Sequence, residues 1–164
     1  MQKELENNFL ADFENNQNIV HKVCRIYTTN PDAHNDLFQE ITIQLWKNYS
    51  KFRGDAKFST WMYRVALNTA ISLYRKSTRA VKTQDISEVA FKIQAHDYDD
   101  TEEQQLKQLY KAIHKLNDID KALIFLYLED KPYKEISNTL GISEVNARVK
   151  MNRAKDKLKK ILTP

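Results

Sequence analysis

The chain has 164 residues, with 26 Lys and Arg against 22 Asp and Glu, and its formal net charge at pH 7 is +4. Its single cysteine, Cys24, excludes an internal disulfide and suits a reducing compartment. The amino-terminal sequence lacks the pattern of a secretory signal peptide, and no apolar run approaches the roughly 20 residues that span a bilayer. Two glycines and three prolines are too few for an all-β fold or a glycine-rich phosphate loop. We therefore expect an all-α protein that is cytoplasmic and has no direct membrane insertion.

Charge is distributed in blocks along the sequence. Residues 51–82 hold eight basic and one acidic side chain, and residues 131–164 hold nine and three. Between them, residues 83–105 hold one basic and seven acidic side chains. This pattern predicts two modules that contact a polyanion, joined by a segment that avoids it.

Two helices are predicted in the first fifty residues. The first is indicated by apolar side chains at helical spacing, namely Ile19, Val20, Val23, Ile26 and Tyr27. Asn30, Pro31 and Asp32 then supply an N-cap, a first-turn proline and an acid that complements the helix dipole. The helix that they begin is expected to end near Asn48 and to bury Leu37, Phe38, Ile41 and Leu45.

The first basic block interleaves aromatic and cationic side chains. A loop around Gly54 precedes a helix from about Ser59 to Lys76, whose core face is Met62, Val65, Ala66, Thr69 and Leu73. A separate narrow sector of this helix collects Trp61, Arg64, Asn68, Ser72 and Arg75, and Phe52, Phe58, Tyr63, Lys51, Arg53 and Lys57 lie nearby in sequence. Bases stack on aromatic rings while cations follow the backbone, so the block predicts binding of unpaired nucleic acid and strand opening. The alternative is that Phe52, Phe58 and Trp61 are core residues.

A linker is predicted where helical periodicity is lost. Residues 77–100 are acidic and aperiodic. Two further helices follow, with apolar stripes at Leu106, Leu109, Ile113 and Leu116 and at Ile119, Ala122, Leu123, Leu126 and Tyr127. We therefore predict an amino-terminal domain over residues 1–78, a linker over 79–103 and a carboxy-terminal domain over 104–164.

The end of the chain has the pattern of a helix-turn-helix. Pro132 suits the first turn of a short helix that buries Ile136 and Leu140, and Gly141 can adopt the left-handed conformation that ends it. Ile142 packs back across the turn, and Ser143 is the expected cap of the next helix. The core face of that helix is spaced 4, 3, 4, 3 and consists of Ala147, Met151, Ala154, Leu158 and Ile161.

The second helix of this motif is strongly basic. Seven Lys and Arg and one Asp lie between residues 147 and 160. The side opposite its core face carries Val145, Val149, Asn152 and Arg153, with Asn146, Arg148 and Lys150 on the flanks. Such a helix can enter the major groove, with its first half contacting base edges and its later lysines holding phosphates. The alternative, a surface helix with a solvated basic face, does not account for the tight turn and the cap.

Two segments, in order, resemble the extracytoplasmic-function (ECF) subfamily of sigma-70-type RNA polymerase sigma factors. The sequences DLFQEITIQLW and KFRGDAKFSTWMYRVALNTAISLYRK resemble region 2 of that family. The sequence LNDIDKALIFLYLEDKPYKEISNTLGISEVNARVKMNRAKDKLKK resembles region 4. The resemblance covers roughly residues 10–76 and 104–161, and it implies two helical domains that recognise the minus-10 and minus-35 promoter elements and help to melt the DNA.

The resemblance also implies roles for individual residues. Trp61 falls where the family wedges the duplex at the upstream edge of the minus-10 element, and the loop Lys51–Lys57 falls where a flipped base is captured. The minus-10 candidates are Phe52, Arg53, Phe58, Trp61, Arg64, Asn68 and Arg75. The minus-35 candidates are Ser143, Asn146, Arg148, Val149, Lys150, Asn152, Arg153 and Lys155. The candidates for docking on core polymerase are Asp36, Phe38, Gln39, Glu40 and Trp46.

The partners implied by the resemblance are core RNA polymerase, promoter DNA and an anti-sigma factor. The polymerase would be contacted at its β′ clamp helices and β flap, and the acidic linker resembles the segment that enters the RNA path. Anti-sigma factors of this family are commonly membrane-bound. The run Asn146 to Lys150 departs from the Thr-Val-Lys-Ser-Arg-like run usual at this position, which leaves the promoter sequence open.

No catalytic or metal-binding pattern is present in the sequence. His21 and Cys24 lack a second ligand pair at metal-binding spacing, and Asp97, Asp99 and Asp100 lack the glycine and distal Glu of a calcium loop. We therefore expect no enzyme activity, cofactor or metal. The alternative function is a stand-alone helix-turn-helix regulator, and a helical adaptor is a third class, which would show no salt-dependent affinity for DNA.

Overall fold

A computed structural model describes residues 1–81 and 101–163, and in these ranges it contains seven helices and no strand. The amino-terminal module consists of α1 (Gln2–Tyr27), α2 (Pro31–Tyr49) and α3 (Phe58–Val81). The carboxy-terminal module consists of α4 (Thr101–His114), α5 (Asp118–Leu128), α6 (Tyr133–Leu140) and α7 (Glu144–Leu162). The expected all-α class is confirmed, and none of these helices combines the length and apolar character needed to cross a membrane.

Local sequence chemistry sets the start of several helices. The side-chain oxygen of Asn30 accepts a hydrogen bond from the Ala33 amide at 2.8 Å, as the predicted N-cap of α2 requires. Asn117 caps α5 in the same way through the Asp120 amide at 2.8 Å. Each cap satisfies an amide that has no partner within its own helix.

Helix α3 is longer than predicted, and α1 and α4 begin at residues that the sequence pattern did not indicate. Helix α1 begins at Gln2, because Phe9 and Phe13 continue its buried stripe towards the amino terminus. Helix α3 runs to Val81 instead of Lys76, and α4 already begins at Thr101. Both ends of the predicted linker are therefore helical. The rest of that linker, including the three aspartates around residue 99, lies outside the described residues.

Helix α3 is buried on more of its circumference than the predicted core face. Met62 and Ala66 are fully buried, as expected, whereas Val65, Thr69 and Leu73 are only partly buried. Further buried positions were not predicted, namely Tyr63, Leu67, Ala70 and Ile71. The reason is that α3 packs against α1 and α2 of its own module and also against α5 and α6 of the other one.

The carboxy-terminal module contains the predicted helix-turn-helix. Gly141 ends α6 with φ at +70°, and both its amide and that of Ile142 donate to the Ser137 carbonyl. The Ser143 hydroxyl then accepts from the Asn146 amide at 3.1 Å and caps α7. The core face of α7 is confirmed, with Ala147, Met151 and Ala154 fully buried and Leu158 and Ile161 packed beside them.

Replacing Gly141 tests how strongly this turn depends on its left-handed backbone. An added Cβ would meet no neighbouring atom within 4 Å, so the cost of Gly141→Ala is conformational. We expect it to lower the unfolding free energy by about 1–2 kcal/mol, and Gly141→Asn to lower it less, because Asn tolerates this conformation. Urea unfolding followed by circular dichroism measures both. Equal losses for the two variants would contradict the conformational explanation.

Candidate nucleic-acid interface

An aromatic cluster surrounds the loop between α2 and α3. The ring centroid of Trp61 lies 5.2 Å from that of Phe52 and 5.5 Å from that of Phe58. Tyr49 packs edge-on against Phe58 at 6.1 Å, and its hydroxyl donates to Asp12 at 2.8 Å. Burial, followed by this contact with Asp12, raises the pKa of Tyr49 to about 12. The cluster is thus anchored from beneath, while Phe52, Phe58 and Trp61 remain only half-buried.

Trp61 also borders an open groove between α2 and α3. The groove has a volume of about 350 Å³, and its remaining lining residues are Gln44, Asn48, Lys51, Arg64, Val65, Asn68 and Thr69. Arg64 and Asn68 are exposed, as is Ser72 one turn further along α3. The structure therefore brings together the indole, the guanidinium and the amide that the helical spacing placed in one sector. An indole beside a cation and an amide suits an unpaired base and its phosphate.

Helix α7 presents the predicted outward face to solvent. Val145 is 73% exposed and Val149 is 41% exposed. Asn152 and Arg153 are exposed on the same side. The face opposite the buried stripe is therefore open to solvent and mixes apolar, polar and cationic side chains.

Two cations on the flanks of α7 lie over tyrosine rings of the same module. These cation–π contacts were not predicted from the sequence. The Arg148 guanidinium lies 4.6 Å from the ring centroid of Tyr133 in α6. The Lys155 ammonium lies 3.8 Å from the ring centroid of Tyr127 in α5. These contacts restrain two otherwise flexible side chains at the edge of the helix.

Comparison with known proteins identifies both modules. The family model described as Sigma-70 region 2 matches residues 13–80, and the one described as Sigma-70, region 4 matches residues 106–158. The chain belongs to the ECF subfamily of sigma-70-type sigma factors. It therefore binds core RNA polymerase and directs transcription initiation at promoters. The region 2 match spans the aromatic–cation block, whereas a stand-alone helix-turn-helix regulator accounts for the carboxy-terminal module alone.

Related proteins cover most of this sigma factor. The ECF RNA polymerase sigma-E factor of Haemophilus influenzae is 28% identical over 159 residues, covering 90% of this chain and 84% of its own. The sigma factor YlaC of Bacillus subtilis is 26% identical over 140 residues, covering 78% and 76%.

Two solved structures share the fold. The sigma factor RpoE in complex with the anti-sigma factor NepR from Bartonella quintana superposes with a TM-score of 0.72 at 20% identity, covering 98% of this chain and 97% of its own. CnrH in complex with the cytosolic domain of CnrY gives a TM-score of 0.67 at 18% identity, covering 96% and 88%. At these identities, the likeness concerns the fold alone.

The five residues predicted to dock on polymerase differ in how far they are buried in this sigma factor. Asp36 and Gln39 are exposed on α2. Phe38 and Trp46 are half-buried because their rings pack against α1: Phe38 stacks on His21 at 4.4 Å, and Trp46 lies 5.2 Å from Phe9. The partly buried Glu40 accepts a hydrogen bond from Gln44 at 3.2 Å. The two aromatic residues thus also belong to the core of the module.

His21 pairs with a histidine instead of with Cys24. Its Nδ1 lies 3.1 Å from Nε2 of His34, and the two rings stack, whereas Cys24 is fully buried. Burial raises the pKa of the Cys24 thiol to about 12. Within residues 1–81 and 101–163, no group of three or more His, Cys, Asp or Glu is placed to hold a metal ion.

The stability of this sigma factor should depend on pH through His34 and His114. Burial is the largest cause that lowers the pKa of both side chains below 6.5. For His34, the neighbouring His21 lowers the pKa further. For His114, the hydrogen bond to the Arg25 carbonyl opposes the shift. The unfolded chain takes up protons near pH 6.5 while the folded chain holds these histidines neutral. The stability that the two neutral histidines contribute is therefore fully present above about pH 6.5 and is lost as the pH falls below it.

We expect the unfolding free energy to fall between about pH 7.5 and about pH 5.5, above the range in which most carboxylates titrate. The fall should be smaller in His34→Gln and smallest in the His34→Gln/His114→Gln double variant. Urea unfolding at a series of pH values measures it. A double variant that keeps the full pH dependence would assign the effect to other groups.

Proposed function

We propose that this sigma factor opens and holds the minus-10 element with the surface around Trp61 and binds the duplex minus-35 element with α7. The observation that carries the proposal is the open groove in which Trp61 lies beside Arg64 and Asn68. The full minus-10 surface comprises Phe52, Arg53, Phe58, Trp61, Arg64, Asn68 and Arg75. The minus-35 surface comprises Ser143, Asn146, Arg148, Val149, Lys150, Asn152, Arg153 and Lys155.

Opening of the minus-10 element is driven by binding energy and not by nucleotide hydrolysis. An unpaired base that stacks on an aromatic ring gains about 1–3 kcal/mol, which offsets part of the cost of unstacking it from the duplex. The half-buried rings of Phe52, Phe58 and Trp61 offer such surfaces, and Arg64 supplies a nearby positive charge. The factor acts in this proposal as a non-catalytic subunit in the cytoplasm.

The residues of α7 divide into two roles. Val149, Asn152 and Arg153 face outward, where a helix in the major groove meets base edges: Val149 suits a thymine methyl group, and Arg153 suits the acceptors of guanine. Arg148 and Lys155 lie at the flank beside tyrosine rings, and we assign them to the phosphate backbone. Base contacts set specificity, whereas phosphate contacts set orientation and salt dependence.

Polymerase contacts are assigned to Asp36, Phe38, Gln39, Glu40 and Trp46 at the β′ clamp helices, and the carboxy-terminal module meets the β flap. An anti-sigma factor is proposed as a further partner, because the chain shares its fold over nearly its full length with RpoE bound to NepR. Co-purification with core polymerase, and with candidate inhibitors, tests these partners.

Trp61→Ala tests the minus-10 assignment. We expect binding to duplex minus-35 DNA to be unchanged and open-complex formation with core polymerase to fall by roughly tenfold, corresponding to the loss of one stacked base. Trp61→Phe, which keeps a ring, is the matched control and should retain most of the activity. Permanganate reactivity of unpaired thymines measures the opening. Normal opening by Trp61→Ala would contradict the assignment.

Arg153→Ala and Lys155→Ala separate base contact from phosphate contact. Arg153→Ala should cost about 1–3 kcal/mol on the preferred promoter and relax specificity at one base pair. Lys155→Ala should weaken binding to all sequences alike and reduce the salt slope by about 1. Run-off transcription and holoenzyme binding on a minus-35 library at several salt concentrations measure both. Specific binding by the purified factor without polymerase would instead favour a stand-alone regulator.

A further inference from the structure

The outward face of α7 begins with two valines. Val145 and Val149 lie four residues apart near the start of the helix, and they are 73% and 41% exposed. Residues four apart on a helix are neighbours, with about 5–6 Å between their Cβ atoms. The two side chains therefore form one small apolar surface in the first two turns of α7, which we call the valine patch.

The valine patch is fixed on the side of α7 opposite the core. Each valine is two residues away from the fully buried Ala147, which is a rotation of about 200° at 3.6 residues per turn. Met151, one turn after Ala147, is fully buried as well. The Ser143 cap and the left-handed Gly141 set where the helix begins. Because the buried stripe and the cap hold the helix in one rotational setting, the two valines stay on the outward face.

Cations surround the valine patch. Arg148 lies on one flank, where its guanidinium is 4.6 Å from the Tyr133 ring centroid, and the partly buried Lys150 lies on the other flank. Arg153 is exposed one turn beyond Val149. Such a rim of positive charge attracts the phosphates of DNA. The charge around the patch therefore complements a polyanion, and the occupant that it favours is duplex DNA.

The charge along α7 also indicates which part of the helix lies against the bases. Asp156 is exposed and lies four residues after Asn152 on the outward face. Its carboxylate has the same charge as the phosphates that border the groove, and like charges repel. In helix-turn-helix proteins, base edges are contacted by the amino-terminal part of the second helix. Both arguments place Val145, Val149 and Asn152 at the centre of the DNA contact.

The chemistry of valine limits what it can recognise in the major groove. Most groups that bases present there are hydrogen-bond donors or acceptors, and a valine side chain has neither. The one apolar group is the C5 methyl group of thymine. A valine pressed against the polar edge of a G·C pair would displace water and leave those polar groups without a partner, which is costly. An apolar side chain in this position therefore favours thymine and disfavours G·C.

We infer that Val145 and Val149 are specificity-determining residues that contact the methyl groups of two thymines in neighbouring base pairs of the minus-35 element. The inference rests on the proposed function, which assigns α7 to this element, and it adds Val145 to the single contact proposed for Val149. Neighbouring base pairs are about 3.4 Å apart along the duplex and are displaced sideways by its twist, so two valines 5–6 Å apart can each meet one methyl group.

Deoxyuridine isolates this contact because it lacks only the methyl group of thymine. Holoenzyme is assembled from the full chain and core polymerase, and a promoter library gives its preferred minus-35 element. Each thymine of that element, on either strand, is then replaced singly by deoxyuridine, and competition binding gives the affinity. We expect two thymines, in neighbouring base pairs, at which the parent loses about fourfold in affinity, which corresponds to about 0.8 kcal/mol for one buried methyl group.

Single variants assign each methyl group to a side chain. Val149→Ala should abolish the effect of deoxyuridine at one of the two thymines, and Val145→Ala should abolish it at the other. Alanine is the best helix former, so both variants are expected to fold. Leu162→Ala is the matched control, since Leu162 is also an exposed apolar residue of α7 but lies at its opposite end. This control should retain both effects.

Three results would overturn the inference. The first is a preferred element without two neighbouring A·T pairs, or a parent that binds thymine and deoxyuridine equally well at every position. The second is an effect of deoxyuridine that persists in both valine variants, because it would then arise from the shape of the DNA. The third is a valine variant that loses the same affinity with thymine and with deoxyuridine, which would mean that the side chain only supports the helix. Circular dichroism and urea unfolding check the folding of every variant.

The sequence preference of the holoenzyme separates this inference from the proposed function. If the holoenzyme forms but binds all minus-35 sequences alike, both fail, because α7 then contacts no base edges. If it has a clear preference that is insensitive to deoxyuridine, the valine contacts fail and the assignment of α7 to the minus-35 element stands.

Discussion

Helix α3 packs against helices of both modules, and this double packing is the constraint on which the rest of the structure depends. One side, through Met62 and Ala66, closes the core with α1 and α2, and another, through Tyr63, meets α5. The remaining narrow sector carries Arg64 and Asn68. A single helix therefore supplies the core, the surface proposed for DNA and the contact between the modules, so these three functions cannot vary independently.

The parts of the fold that follow from local chemistry were predictable from the sequence. Asn30 and Ser143 cap α2 and α7 by accepting a hydrogen bond from a nearby backbone amide, and Gly141 ends α6 in a left-handed conformation. All three roles agree with the prediction from the sequence. The outward face of α7 was predictable too, because a helix with one apolar stripe leaves the opposite side exposed. The start of α1 was missed, since Phe9 and Phe13 are separated from the main stripe by a polar stretch whose periodicity is weak.

The contacts that depend on how helices cross were not predictable. The burial of Lys121 has no signature in hydropathy, because its partner Tyr74 lies 47 positions earlier in the chain. The rings that contact Arg148 and Lys155 belong to α6 and α5. Spacing along the sequence does not predict which side chains of α7 these two helices approach. Phe38 shows a related limit: one aromatic residue can serve a docking surface and a core, and only the packing on His21 shows the second role.

The contact between the modules combines apolar and polar packing. The buried apolar residues of both modules form one cluster, in which the Tyr63 ring lies 5.9 Å from that of Phe125. Tyrosine hydroxyls donate hydrogen bonds to groups at the two ends of α5, and each such bond contributes only about 0.5–1.5 kcal/mol, because it replaces a bond to water. The shared apolar cluster is therefore the main source of stability for this contact, whereas the directional hydrogen bonds select how the helices are aligned.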